Sequence, residues 1–170
     1  MRMRLFVSPL LVVLLTVPAL AQMGAARGNA EVTIKSKKIK ISYGQPSLSG
    51  RDMISMATTG TVWRLGMDEA TEIETTGDLV VSGKNLKAGK YSLWAKKTGA
   101  ETWVLAFHPS TGIWGQPEMT SGYLAELPLK LAKTTRAAER LAITLAESSG
   151  NASVRIHWGT TELSGTFAVK

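Results

Sequence analysis

No cysteine occurs among the 170 residues. That absence excludes a disulfide scaffold, a thiolate zinc site, an iron–sulfur cluster and a cysteine nucleophile. Only two histidines are present, His108 and His157. They are too few for an all-histidine metal cage within one chain, and neither H-x-H nor H-E-x-x-H spacing occurs. The G-x-S-x-G of serine hydrolases, the phosphate-binding P-loop and a dinucleotide-type glycine motif after a strand are missing too. No metal and no cofactor is expected. Sustained helical periodicity is likewise absent, as is any repeat of 20–50 residues that would build a solenoid or propeller.

What the chain does have begins with its N-terminus. Arg2 and Arg4 precede an apolar stretch from Leu5 to Val17, and Ala19-Leu20-Ala21 fits the small-x-small cleavage rule. Residues 1–21 therefore read as a signal peptide cut after Ala21, with export to the periplasm or beyond the cell. The stretch is short for a membrane span and contains Pro9, with Pro18 at its end. No later segment approaches spanning length, so no membrane span is expected after cleavage, and a lipid anchor would need the missing cysteine. Residues 22–30 read as a flexible lead-in and 31–170 as one domain. Without Arg2 and Arg4, 18 basic side chains face 13 acidic ones, and the net charge falls from +7 to +5. The mature chain stays about 40% apolar, enough for one core. Its lysines and arginines are scattered, so nucleic acid is not an expected partner. An envelope polymer, a small molecule or a protein is.

Period-two alternation runs through the mature chain. Val32 and Ile34 alternate with Thr33 and Lys35, and Ile39, Ile41 and Tyr43 alternate with Lys40 and Ser42. The phase slips at Ser36–Lys38, which calls for a bulge or strand break. Lys35, Lys37, Lys38 and Lys40 fit a solvent-facing edge strand. Further strands are expected at Thr61–Gly66, Ala70–Thr75, Asp78–Ser82, Tyr91–Trp94, Trp103–Phe107, Leu127–Leu131, Leu141–Leu145, Val154–Trp158 and Thr166–Lys170, with turns at Gly44–Arg51, Gly83–Asn85 and Thr98–Glu101. Good helix formers fill Ala132–Ala146, and a helix there is the rival reading. The Leu-x-Leu-x-Leu and Leu-x-Ile-x-Leu spacings favour strands, with room for a helical turn at Thr135–Glu139. About nine or ten short strands indicate an all-β fold, an antiparallel β-sandwich.

Five tryptophans are a large resource in a chain of this size. Trp63, Trp103 and Trp158 have apolar neighbours two residues away and read as core. Trp94 falls on the face opposite Tyr91 and Leu93 and lines a second surface. Trp114, in the loop Ser110–Pro117, either caps the core or stacks on a flat ligand. The candidate polar cluster is Arg51, Arg64, Asp68, Glu69, His108 and Trp114. Arg64 has the chemistry to clamp an anion, and Asp68 or Glu69 the chemistry of an acid or base. The simpler reading is an Arg64–carboxylate bridge that fixes the loop. Arg51 with Asp52 folds over the same end in this reading, near Tyr43. His157 needs no role beyond exposure.

Three segments together carry a resemblance. Ile41-Ser42-Tyr43-Gly44-Gln45-Pro46-Ser47-Leu48-Ser49-Gly50-Arg51, Val62-Trp63-Arg64-Leu65-Gly66-Met67-Asp68-Glu69-Ala70-Thr71 and Gly83–Leu93, with the later pair Trp114-Gly115, are similar to a bacterial exported family of unknown function, DUF2911. The resemblance covers about residues 30–170. It implies an exported β-rich domain and supplies no reaction or catalytic residues. Asp68 stands where the family pattern commonly has Asn, which adds a negative charge there. Three functions fit these observations. The first is a non-catalytic binding or interaction module of the cell envelope. The second is a hydrolase using Asp68 or Glu69 with His108, and the third a purely structural envelope domain.

Overall fold

The computed structural model describes residues 27–114 and 121–170. The expected signal peptide at 1–21 and Gly115 of the Trp-Gly pair lie outside the described residues. The first strand, β1 (Arg27–Ile34), starts within the stretch read as a lead-in. It forms a hairpin with β2 (Lys37–Gly44) across two residues, Lys35 and Ser36, at φ +49° and +65°. Two positive φ values in a two-residue loop are the type I′ geometry, whose twist matches that of the flanking strands. The turn sets Val32 opposite Ile39 and Ala30 opposite Ile41, so the apolar residues of both strands share a face. The phase slip is thus a complete chain reversal and not a bulge. The edge-strand reading of the lysines is corrected with it. Lys37, Lys38 and Lys40 lie on β2, which is paired on both sides, by β1 and by β4 (Thr71–Thr75).

The same device recurs twice. Ser82 and Gly83 (φ +47° and +79°) join β5 (Leu79–Val81) to β6 (Lys84–Leu86). Ser149 and Gly150 (φ +51° and +76°) join β9 (Ala125–Ser148) to β10 (Asn151–Val169). The remaining strands are β3 (Val62–Trp63), β7 (Gly89–Lys97) and β8 (Trp103–His108), and the only helix among the described residues is α1 (Met53–Met56). All strand pairs are antiparallel, in the order β1-β2-β4-β7-β8-β9-β10-β5-β6, with β3 on β7.

One apolar cluster draws buried side chains from all ten strands and from Ile54 of α1. A single sheet achieves this by curling around its own inner face. Strands β9 and β10, of 24 and 19 residues, make the curl possible. Fully straight, β9 would reach about 80 Å, far beyond the width of a domain this size, so it bends. Its first residues, Ala125–Leu129, pair with β8, and residues 130–148 pair with β10. The β9–β10 register shifts on both sides of Gly159. Four hydrogen bonds then tie the end of β2 and the chain just beyond it to the middle of β9. Tyr43 Oη donates to the Ile143 carbonyl (3.3 Å), Gln45 Nε2 to that of Leu141 (3.4 Å), Leu141 N–H to Pro46 (3.1 Å) and Leu48 N–H to Glu139 (2.7 Å). Thr135–Glu139, which has room for a helical turn by composition, is extended within β9, where Ala138 faces Gly159 of β10 and the Glu139 carbonyl accepts from Leu48.

A left-handed conformation is strained for serine by about 1–2 kcal/mol, and glycine returns about 0.5–1 kcal/mol of that through its freer unfolded chain. Ser36→Gly is therefore expected to stabilise the fold by about 0.5–1 kcal/mol, seen as a rise of about 2–4 °C in the thermal midpoint.

Candidate functional site

The segment between β3 and β4 has an unusual backbone. Leu65 is fully buried at φ +57°, and Asp68 lies at φ +62°. A bulky residue in the left-handed region is held there only by its surroundings. Thr71, at the start of β4, does the holding: its Oγ1 donates to the Leu65 carbonyl (2.7 Å) and its N–H to that of Arg64 (3.2 Å). The loop then lies directly on the end of β2. A Cβ on Gly44 would collide with the Met67 carbonyl, and one on Gly66 would sit 2.8 Å from the Gly44 carbonyl oxygen. Main chain meets main chain here, and both positions require glycine.

This contact brings the segments Ile41–Arg51 and Val62–Thr71 to one cleft of about 310 Å³. Arg51 and Arg64 both line it. Arg64 is half-buried and Arg51 exposed, and neither guanidinium has a hydrogen bond or ion pair among the described residues. Met53, Val62 and Met67 are half-buried along the walls, with Trp63, Trp94 and Trp158 behind them. Trp63 and Trp158 are stacked, centroids 5.6 Å apart at 16°. The Trp158 indole N–H is buried without an acceptor among the described residues. Trp94 is 2% exposed and lies on the outer face of β7 with Ala70 and Ala106, under Val62, Ile113 and Tyr123, so the second surface read from alternation is a second small core. Its Nε1 donates to Ser92 Oγ (2.9 Å). No carboxylate and no imidazole is among the described lining residues.

The other candidates lie elsewhere. Glu69 pairs with Arg27 (3.5 Å), not with Arg64, so the expected Arg64–carboxylate bridge is not formed. Asp68 is half-buried at the turn, with no side-chain partner among the described residues. Trp114 forms a backbone bridge with Glu69 and is 67% exposed, so it does not cap the core. With it, Ile113 accepts a hydrogen bond from Ala70 N–H (2.9 Å), and Gly112 N–H donates to Glu72 Oε1 (2.6 Å). Residues 112–114 thus strap across the start of β4. His108 ends β8 at 8% exposure. Its Nδ1 accepts from Ser110 N–H (3.1 Å), and Tyr123 meets its ring edge-on at 5.8 Å. Neither Asp68 nor Glu69 bonds to it. Asp52 caps α1, accepting from Ile54 and Ser55 N–H.

Sequence reasoning missed the tryptophan backing of the cleft, because Trp63 and Trp158 read as core and do belong to it. It also missed Glu72, which anchors the strap. Partial burial opposes the Glu72 charge. The Lys90 hydrogen bond (2.7 Å), the Gly112 N–H and the charges of Lys90 and Arg27 outweigh it and hold the carboxyl below the ordinary value of 4.5.

A curled all-β domain with an arginine-lined cleft is the class these observations define. A family model described as a protein of unknown function, DUF2911, matches residues 25–167. The chain belongs to the DUF2911 family. Neither the curated proteins nor the solved structures contain a match to it.

Gly44→Ala is expected to destabilise the protein by about 1–3 kcal/mol, the usual cost of overpacking, read as a lower urea midpoint at unchanged slope. Glu72 makes stability pH-dependent. Its carboxyl is lowered on folding, so its contribution is complete above pH 4.5 and disappears as pH falls through the lower folded value. As pH falls below 4.5, the thermal midpoint should fall less steeply in Glu72→Gln than in the parent.

Proposed function

We propose that this chain is an exported binding module of the bacterial envelope that holds a small anion between Arg51 and Arg64. The observation that carries the proposal is the pair of guanidinium groups without carboxylate partners at one cleft. Two arginines that line one concavity with no carboxylate among its described lining residues offer a forked donor set to an anion from outside. The volume lies at the lower end of the range for small-molecule sites. Export rests on the leader at 1–21, and the mature net charge of +5 favours an acidic ligand over a basic one.

A binding role is favoured over hydrolysis by the placement of the acid–base groups. Catalysis by Asp68 or Glu69 with His108 needs the groups within hydrogen-bond reach around a common space. Glu69 is engaged by Arg27, His108 by Ser110 and Tyr123, and neither lines the arginine cleft.

The test is calorimetric titration of the mature protein with a panel of small carboxylates and phosphates, alongside Arg64→Met and Arg51→Met. At least one anion should bind, and each substitution should weaken it about 10- to 100-fold, the worth of a charged hydrogen bond. Equal binding by parent and both variants would rule out this site.

A further inference from the structure

Resting on that reading, we infer that the ligand is a small acid with a hydrocarbon body, an aryl or acyl carboxylate bare of hydroxyl groups. The side chains of the cleft are unequal in kind. Its polar members are Arg51, Arg64 and Thr61. The two guanidiniums donate only, with five N–H groups each, and a single threonine hydroxyl is the one side-chain oxygen acceptor among the described lining residues. A sugar or polyol brings several hydroxyl donors into such a site and finds almost no side chain to receive them. Each donor buried without an acceptor weakens binding roughly 10- to 100-fold. A carboxylate head, by contrast, accepts only and matches the arginines.

The rest of the wall suits a body without polar atoms. Met53, Val62 and Met67 are half-buried, so each presents part of its side chain to the cleft. Methionine is unbranched and fits its shape to what lies against it, so two of them accommodate either a ring or a short chain. Behind them the stacked Trp63 and Trp158 keep that wall dry and stiff. The volume of about 310 Å³ suits one small body and not the two chains of a membrane lipid. A cation is disfavoured by the two like charges in the lining.

The experiment titrates the mature protein with octanoate and 2-naphthoate, and in parallel with inorganic phosphate, glucose 6-phosphate and the neutral isostere 2-naphthamide. The expected result is binding of at least one hydrocarbon acid, at least ten-fold tighter than both phosphates and the amide, and at least ten-fold weaker in Arg64→Met. Met67→Ser serves as the second variant. It should weaken the hydrocarbon acids several-fold, and far-ultraviolet circular dichroism checks that it is folded. Phosphate or glucose 6-phosphate binding as tightly as octanoate and naphthoate, in an Arg64-dependent way, would overturn the hydrocarbon body and leave the anion site standing. Failure of every anion to bind would overturn both.

Discussion

The contact between the backbone at Gly44 and the loop Gly66–Met67 is the constraint on which the rest of this molecule depends. Two stretches of main chain approach more closely than side chains would permit. The loop can hold its left-handed Leu65 and Asp68 because Thr71 binds it from one side and β2 supports it from the other. Arg64 leaves this loop at its start, next to the fully buried Leu65, so its position follows from a rigid backbone. Arg51 reaches the same cleft from the segment that leaves β2. The anion site proposed between these two arginines would thereby have one member on a rigid support, which lowers the ordering cost of binding.

The second organising element is the β9–β10 ribbon. It is too long to serve one neighbour, and it serves several: β8 at its start, the segment after β2 at its middle, and β5 at the far end of β10. Through it the strand order runs on from β8 to β5 and β6, and strands from both ends of that order contribute to one core. The outer face of β4, β7 and β8 is left with a smaller apolar patch, which Val62, Ile113 and Tyr123 cover.

Much of this was legible in the residues. Alternation located nearly every strand, and it put Trp94 on the face opposite Leu93, where it is found. The Leu and Ile spacing across Leu127–Leu145 outweighed good helix formers, because the buried faces of a strand need every second residue to be apolar. What alternation could not read was the left-handed backbone. Lys35-Ser36 carries neither glycine nor asparagine, the usual marks of a type I′ turn, so a hairpin looked like a flaw in a strand. Leu65 gives no sign of its positive φ for the same reason. The candidate site was half legible. Arg51 and Arg64 do meet at one cleft. The carboxylates Asp68 and Glu69 looked like partners of Arg64 because they are close along the chain. Arg27, distant in sequence, is the one that reaches Glu69, since the fold lays the start of β1 beside it.

The pairing of β5 with the end of β10 has a further consequence, for the order in which the chain becomes whole. Val80 pairs with Ala168 and Leu79 with Val169, and Leu79 and Val81 are completely buried. These contacts span half the length of the sequence, so loop closure delays them, whereas the β9–β10 hairpin is local and forms without that delay. The inner face of the sheet thus stays open on one side until the final strand is in place. A chain still emerging from a ribosome carries an unfinished core until β10 has been made. Its native state is a property of the released polypeptide, and partial lengths of it remain exposed to chaperones and proteases.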